Sequence, residues 1–377
     1  MRTRVCEMFG IEFPVFAFSH CRDVVAEVSK AGGFGVLGAV AHTPEQLEID
    51  LAWIEEQVAG KPYGVDLLIP SKFAGADEGG FTGEQIAALL PPQHQEFVDD
   101  ILQRYGVPEM SDDMEMTGGM PRGLNVSPLG FAPLIDVAFA HDIKLIVSAL
   151  GAPPPDLVER AHNQGVRVAA LAGTKAHAVR HVTAGVDLII AQGTEAGGHT
   201  GEIATMVLVP EVVDAVAPIP VLAAGGIGRG RQMAASIALG AEGVWTGSVW
   251  LTTEEAETHP VVKQKYLAAG SSDTIRSRSI TGKPARMLKS AWTEEWARED
   301  TPEPLMMPLQ TALVGEALLR VQRAAIQEGS GAEKLVNYFV GQVVGTMDRV
   351  KPARQVVLDM IDEYIDAAQH VTDIMGE

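Results

Sequence analysis

Eight short apolar segments recur along the chain, and a segment with helical character follows each of them. The apolar segments show no strict alternation with polar residues, and such runs are typical of parallel strands buried on both faces. Eight strand–helix units within about 250 residues predict an α/β fold, a (β/α)8 TIM barrel, with a doubly wound open sheet as the alternative. The predicted strands occupy residues 13–19, 34–40, 63–70, 143–151, 166–173, 186–193, 220–226 and 243–250.

The stretch GFGVLG, residues 33–38, tests the doubly wound alternative because it matches the G-x-G-x-x-G fingerprint of dinucleotide-binding sheets. That fingerprint should follow a strand and open a helix, whereas this stretch follows a predicted helix and lies within the second strand. We therefore interpret it as a helix-to-strand turn that ends at Gly38, a strand glycine where a ligand would contact the backbone.

The chain has 377 residues, more than a barrel needs, so we expect further regions. The barrel is expected over 1–252, interrupted at about 71–130 by a polar insertion rich in glycine and methionine. Residues 253–345 are expected to form a smaller, mainly helical region that covers the barrel mouth and binds substrate. Residues 346–377 are expected to form a C-terminal helix that packs back on the barrel. The apolar stretch 337–350 fits either a core segment or a homodimer contact.

Composition excludes several classes of function. With 46% hydrophobic and 21% charged residues, the chain is typical of a folded protein, and no apolar run approaches the roughly 18 residues that span a bilayer. A net charge of −20 disfavours a nucleic-acid partner. Two cysteines, Cys6 and Cys21, argue against a disulfide framework, and no cluster has zinc spacing. We expect a cytoplasmic enzyme without a metal that acts on a small molecule.

Two glycine clusters follow the seventh and eighth predicted strands. Gly225 and Gly226 follow the seventh, and Gly247 and Ser248 follow the eighth. In barrels of this kind, these two loops commonly bind a phosphate, because glycine leaves backbone N–H groups free to approach its oxygens. The pair of clusters therefore predicts a phosphate site, although two ordinary tight turns would give the same pattern.

The sixth predicted strand leads into AQGTEAGGHTG, residues 191–201, in which His199 is surrounded by glycines. Glycines beside an ionisable ring indicate that a ligand approaches the backbone closely. Glu195 would either orient His199 or face solvent.

These motifs resemble those of the nitronate monooxygenase/2-nitropropane dioxygenase-like flavoproteins, which are FMN-binding TIM barrels related to FMN-dependent enoyl and quinone reductases. The strongest likeness lies in GTEAGGHTG, AAGGIGRG and WTGS, and SITGKPARML (279–288) matches a further segment. The resemblance implies that His199 handles the substrate proton over the flavin, and that Asp66 occupies a position where the family usually has asparagine. The expected cofactor contacts are Gly38, Asp66, Gln192, Gly198, Gly225, Gly226, Gly247 and Ser248.

The first strand departs from the family pattern. Nitronate-oxidising members usually carry an Ala-Pro-Met type segment there, whereas this chain reads FAFSHCRD, with Ser19 and His20 as candidate substrate contacts. This start, together with MPLQ at 307–310, is closer to an actinobacterial branch of steroid catabolism. That resemblance implies α,β-dehydrogenation of a ring ketone in a hydrindanedione CoA thioester. Nitronate oxidation with O2 and enoyl or quinone reduction are the alternatives.

The window 274–293 carries five basic residues and no acidic one, which is unusual in so acidic a chain. Arginine and lysine in such a run favour a phosphate-rich ligand such as coenzyme A, although a solvated or structural face is the equal alternative. The basic residues of the window are Arg276, Arg278, Lys283, Arg286 and Lys289.

The expected mechanism follows from a flavin and a histidine. A base removes a proton next to an electron-withdrawing group, while the cofactor accepts hydride. An imidazole with an unperturbed pKa of about 6.5 suits this role near neutral pH. A phosphate-binding barrel without flavin, such as an isomerase or aldolase, is the alternative from a different class.

Overall fold

The computed structural model describes residues 1–69, 83–109 and 128–376. Eight parallel strands close a barrel, in which each strand lies within its predicted segment and the last strand pairs with the first. The strands are β1 (Val15–Ser19), β2 (Phe34–Gly38), β3 (Tyr63–Leu67), β4 (Leu145–Ser148), β5 (Arg167–Ala172), β6 (Leu188–Gln192), β7 (Gly198–His199), β8 (Val221–Ala224), β9 (Gly243–Thr246), β10 (Thr274–Ser277) and β11 (Ala285–Leu288). The barrel order is β1-β2-β3-β4-β5-β6-β8-β9, so the predicted TIM barrel is confirmed and the open sheet is excluded.

Helices connect the barrel strands and build the regions outside it. They are α1 (Arg4–Phe9), α2 (Arg22–Lys30), α3 (Pro44–Val58), α4 (Gly83–Ala88), α5 (Pro92–Arg104), α6 (Pro128–Ala140), α7 (Pro155–Asn163), α8 (Lys175–Thr183), α9 (Thr205–Val216), α10 (Gly230–Ala238), α11 (Pro260–Ala268), α12 (Ala291–Glu295), α13 (Leu309–Ala325), α14 (Ala332–Leu335) and α15 (Ala353–Met375). None of these described helices combines the length and apolar character needed to cross a membrane.

Alternate strand residues fill the barrel interior, while the residues between them pack against the surrounding helices. In β3, Val65 and Leu67 belong to the outer layer, so Asp66 faces inward. The inward positions of β1 and β2 likewise end in Phe18 and Gly38. Since the strands are parallel, these inward residues lie together at the carboxyl end of the barrel.

The helix α1 closes the opposite end of the barrel, and the sequence analysis did not predict it. The ring of Phe9 lies 5.5 Å from Phe16 and 4.8 Å from Phe34, both of which point into the barrel. Thr3 caps the helix by accepting a hydrogen bond from Cys6 N, and Gly10 ends it in the left-handed conformation. These two residues are the sequence signals that could have revealed the helix.

A second hydrophobic core lies outside the barrel and combines the insertion with the region after β9. Val98 and Ile101 of α5 pack in the same cluster as Trp292 and Val314. Arg104 reinforces this contact by donating two hydrogen bonds to Glu295, at 2.6 and 2.9 Å. The described part of the insertion contains α4 and α5, while residues 70–82 and 110–127 lie outside the described residues.

The region after the barrel contains strands as well as helices, and the sequence analysis did not predict these strands. Strands β10 and β11 form an antiparallel hairpin, and β7 pairs with β11 as its third strand. Since β7 belongs to the loop after β6, the hairpin extends a loop of the barrel itself. The elements of residues 253–345 are called the cap below. The limits of the cap and of the barrel remain predictions from the sequence.

The long helix α15 lies against α10 of the barrel. A Cβ at Gly230 would lie 2.0 Å from Met360 O, so only glycine permits this close approach. Arg229 and Glu363 form an ion pair across the same contact. The apolar stretch 337–350 contributes Val340 and Val344 to the second core, which favours the core interpretation over a homodimer contact.

Replacing Phe9 with alanine should destabilise the protein by about 3–5 kcal/mol, because the substitution leaves a cavity against Phe16 and Phe34. Denaturant unfolding monitored by circular dichroism measures this free energy. The matched control is Ile49→Ala, whose side chain is 62% exposed and should change stability by no more than about 0.5 kcal/mol. Equal stability of the Phe9 variant and the wild type would show that α1 does not support the barrel.

Candidate active site

The loops after β6, β8 and β9 meet at the carboxyl end of the barrel. Gln192 pairs with Ala224 in the sheet, and Ala224 pairs with Trp245, so the ends of these three strands are adjacent. The barrel therefore brings the histidine loop next to both glycine clusters, as the sequence predicted. In TIM barrels this end is where active sites are built.

His199 lies in β7 and is held by the cap hairpin. It pairs with Ala285 of β11, and its Nδ1 lies 3.4 Å from the carbonyl oxygen of Pro284. Since a carbonyl only accepts hydrogen bonds, this contact favours the tautomer with hydrogen on Nδ1 and leaves Nε2 unprotonated. The ring centre lies 6.3 Å from that of Phe339. The arrangement leaves Nε2 as the ring atom that can take a proton.

The surroundings of His199 favour its neutral form. Desolvation is the main cause that lowers its pKa to about 4, and the positive charge of Lys283 contributes in the same direction. The hydrogen bond to Pro284 opposes these effects only in part. The surroundings thus lower the pKa of His199 from the value of 6.5 expected for a free imidazole, because the half-buried ring is partly desolvated and lies near a cation.

Glu195 anchors the histidine loop to the barrel. Its carboxylate accepts hydrogen bonds from Thr205 N, at 3.0 and 3.2 Å, and from Thr205 Oγ1 at 2.9 Å. Ala204, at the N-cap of α9, has no side-chain acceptor for the unpaired N–H groups of the first helical turn. The Glu195 carboxylate therefore caps this end of α9. Glu195 is half-buried, and its hydrogen bonds go to Thr205 rather than to His199, so any effect on His199 acts through the loop.

The cap anchors the same loop at two further points. Arg286 Nε donates a hydrogen bond to Thr194 O at 2.9 Å, and Gln342 N donates to Glu195 O at 2.9 Å. Arg286 is also buried and donates to Thr274 Oγ1. Its guanidinium thus binds the protein itself, which argues against its predicted role as a substrate contact.

The two glycine clusters form a cradle suited to a phosphate. Gly225 and Gly226 have φ values of 100° and 69°, in the left-handed region, and a Cβ at Gly225 would lie 2.9 Å from Thr205 Oγ1. The N–H groups of both glycines, and those of Gly247 and Ser248, donate to no acceptor among the described residues. Ser248 Oγ accepts a hydrogen bond from Gly341 N at 2.8 Å and keeps its own hydrogen to donate. These groups fit the phosphate of a flavin mononucleotide.

The inner face of the barrel mouth offers room for a flat ring. A Cβ at Gly247 would find only Phe18, at 3.8 Å, so the space above this glycine is open. Gln192 ends β6 on the inward side and is half-buried. No atom of the described residues lies within 4 Å of the Cβ position of Gly198, whose φ is 73°. Gln192 and Gly247 thus border the barrel mouth, and Gly198 precedes His199 in β7.

Asp66 is almost completely buried at that mouth, and burial raises its pKa well above the usual value. The neutral acid is therefore favoured. A protonated carboxyl both donates and accepts hydrogen bonds, as the amide of asparagine does. This similarity explains how aspartate can stand where the resemblance implies asparagine.

The two candidate substrate contacts at the end of β1, Ser19 and His20, lie in different surroundings. His20 is exposed at the rim, and its Nδ1 donates to Gly38 O at 2.8 Å. Desolvation of the ring lowers its pKa. A Cβ at Gly38 would lie 2.8 Å from His20 and Phe18, so these side chains occupy the space that was predicted for a ligand. Ser19 points away from the interior and accepts a hydrogen bond from Cys21 N.

Most cations of the basic window bind the protein's own oxygen atoms. Arg276 donates to Thr200 O, and Lys289 donates to Ser272 O. Arg278 donates to Gly282 O and Pro304 O. Only Lys283 among the five has no such partner in the described part of the chain. The structural interpretation of this window is therefore favoured over a coenzyme A site for four of its five basic residues.

Sequence reasoning missed Thr205, Phe18 and Phe339, which shape the site. Thr205 Oγ1 contacts the carbonyl oxygens of Ala224 and Gly225 and thereby joins the histidine loop to the cradle. Phe18 stacks on Trp245 at the bottom of the mouth, with ring centres 6.1 Å apart. Their sequence surroundings are ordinary apolar segments, so no motif marks them.

Protonation of His199 should occur at a midpoint near pH 4, as measured by the pH dependence of its imidazole signals in NMR spectra of the protein. The pKa of His199 in the folded protein lies below its value of about 6.5 in the unfolded chain. The folded state therefore loses stability as the pH falls from 6.5 to 4, because only the unfolded chain binds the proton in this range. Lys283→Met should raise the midpoint by removing a nearby positive charge. A midpoint of 6.5 in the wild type would contradict the proposed enclosure.

Glu195→Ala should destabilise the protein by about 1–3 kcal/mol, because Thr205 N and Oγ1 lose their acceptor at the start of α9. We also expect weaker retention of a bound flavin, measured from the absorbance of the purified protein. Glu202→Ala is the matched control, since that side chain is 88% exposed. Identical behaviour of the two variants would remove Glu195 as an anchor.

Comparisons with known proteins agree with this geometry. The family described as nitronate monooxygenase matches residues 2–363. "Putative monooxygenase Rv1533" of Mycobacterium tuberculosis is 68% identical, over 97% of each chain. The structure of a nitroalkane oxidase from Streptomyces ansochromogenes is similar, with a TM-score of 0.79, 25% identity and coverage of 97% of this chain and 99% of the other. FabK from Thermotoga maritima gives a TM-score of 0.73 at 28% identity, over 99% of both chains. The chain thus belongs to the nitronate monooxygenase family, and the protein is an enzyme of this family of flavin oxidoreductases.

Proposed function

We propose that this protein is an FMN-dependent oxidoreductase that oxidises nitroalkanes or their nitronate anions, with O2 as the electron acceptor. The observation that carries the proposal is the neutral His199 ring, with Nε2 free, in a loop anchored next to the glycine cradle. The relatives named as monooxygenase and nitroalkane oxidase support the same chemistry.

The low pKa of His199 favours nitro compounds as substrates. A group that is protonated only near pH 4 is a weak base, so it removes protons efficiently only from acidic carbon atoms. A nitro group acidifies its neighbouring C–H bond far more than a ketone or a thioester does. A nitroalkane therefore suits this histidine better than a ring ketone.

The residues of the chain have distinct roles in this proposal. The N–H groups of Gly225, Gly226, Gly247 and Ser248 would hold the FMN phosphate, and Asp66 would donate a hydrogen bond to the ring system. When bound, FMN supplies the redox chemistry. His199 Nε2 receives the proton of a neutral nitroalkane, and the hydrogen bond to Pro284 O stabilises the resulting imidazolium. A substrate that arrives as nitronate needs no such proton transfer.

A second candidate is the α,β-dehydrogenation of a hydrindanedione CoA thioester from steroid catabolism. His20 at the mouth, in place of the apolar lining of nitronate-oxidising relatives, favours a larger and more polar substrate. The hydrogen bonds that engage four of the five basic residues in the window 274–293 place this candidate second.

His199→Ala should retain FMN and lose at least about 100-fold in kcat with a neutral nitroalkane, because it lacks the proton acceptor. The same variant should lose much less with the corresponding nitronate, which is already deprotonated. Steady-state oxygen consumption with each form of the substrate measures the difference. Unchanged turnover of the neutral form would remove His199 from the mechanism.

The visible spectrum of the purified protein tests the cofactor. We expect flavin absorption bands, and anaerobic addition of a nitronate should bleach them. A colourless protein that takes up no added FMN would contradict the proposal and favour a non-flavin barrel enzyme. Bleaching by a bicyclic ketone CoA thioester, with no response to nitro compounds, would reverse the order of the two candidates.

A further inference from the structure

Lys283 is the basic residue of the cap hairpin that lacks an internal partner. The other four cations of 274–293 donate to backbone oxygens, whereas the Lys283 ammonium makes no hydrogen bond or ion pair with any described residue. The side chain is half-buried, and burial lowers its pKa. The ammonium is not among the fully buried polar atoms that lack a partner, so it keeps access to solvent and is available to a ligand at the barrel mouth.

The turn that carries Lys283 is held rigidly. Gly282 has a φ of 79°, and a Cβ there would lie 2.0 Å from Leu305 O, so only glycine fits. The carbonyl oxygen of Arg278 accepts a hydrogen bond from Gly282 N, and Arg278 Nε donates one to Gly282 O at 3.0 Å. The Thr281 hydroxyl lies 3.2 Å from Lys283 O. This turn therefore fixes where the backbone of Lys283 lies.

The same turn positions His199. Pro284, the next residue, accepts the hydrogen bond from His199 Nδ1, and Ala285 pairs with His199 in the sheet. The ammonium of Lys283 is close enough for its charge to act on the imidazole. The proton acceptor and an unpaired positive charge are thus parts of one rigid unit at the barrel mouth.

A cation beside a base has a specific chemical use. Removal of a proton next to a nitro group develops negative charge on the nitro oxygens, and a nitronate already carries it. A fixed positive charge in a partly desolvated position stabilises that charge more strongly than water does. The same charge contributes to the lowered pKa of His199, although desolvation of the ring is the larger cause.

We propose that Lys283 binds the nitro or nitronate oxygens of the substrate beside His199 and thereby selects substrates that carry or develop a planar oxyanion. The proposal rests on the proposed function and assigns a binding role to a residue for which the fold has no internal use. The neighbouring arginines, in contrast, maintain the hairpin and the histidine loop.

Nitrate tests this role as a planar oxyanion that resembles the nitro group. We expect calorimetric titration of the FMN-loaded protein to show nitrate binding that weakens about 10- to 100-fold in Lys283→Met, the loss typical of a hydrogen bond to a charged group. The KM for a nitronate should rise by a similar factor, while Lys283→Arg restores most of the binding. Lys289→Met is the matched control, because it removes the same charge from the far end of β11 and should leave both values unchanged.

Circular dichroism and FMN content should be the same in all variants, which excludes misfolding as the cause. Equal nitrate affinity and equal KM in Lys283→Met and the wild type would overturn the inference, even if nitronate turnover establishes the function. An equal loss in Lys289→Met would also overturn it, since a general charge effect would then be responsible. Nitrate binding that depends on Lys283 in a protein without nitronate turnover would support the oxyanion site and refute the proposed function.

Discussion

The contact between Glu195 and Thr205 is the interaction on which the site depends. A carboxylate from the histidine loop satisfies the start of α9, and the Thr205 hydroxyl in turn contacts the backbone of the glycine cradle. The single hydroxyl hydrogen of Thr205 is shared between the Glu195 carboxylate and nearby carbonyl oxygens, so Thr205 joins the histidine loop to the backbone of the cradle. These contacts restrict the motion of the loop that carries His199.

The active site belongs to both parts of the molecule. The barrel supplies the cradle and the inward ring of residues at its mouth, whereas the cap supplies the strand that pairs with β7. Arg286 and Gln342 add side-chain and backbone contacts from the cap to the same loop. The insertion contributes indirectly, since α5 completes the core of the cap. A loop rich in glycine would be mobile by itself, and the cap gives it the rigidity that proton transfer requires.

Burial favours the neutral form of two ionisable groups at the barrel mouth. Desolvation favours neutral forms of both His199 and Asp66, so a base and a hydrogen-bond donor are available together near neutral pH. The ammonium of Lys283, which has no hydrogen bond or ion pair among the described residues, adds a positive charge near His199. In the proposed site, this charge would favour anions in a chain whose net charge is −20.

The sequence by itself predicted the barrel, because eight continuous apolar runs, each followed by a helical segment, fit a closed parallel sheet with helices around it, and the structure excluded the open sheet. It also located His199 and the two glycine clusters, since parallel strands bring their carboxyl ends together. Only the tertiary structure decided the pKa of His199, the anchoring role of Glu195, the closure of the barrel by α1 and the different roles of Lys283 and its neighbouring arginines. These properties arise from contacts between residues far apart in the chain, and local sequence patterns carry no record of such contacts.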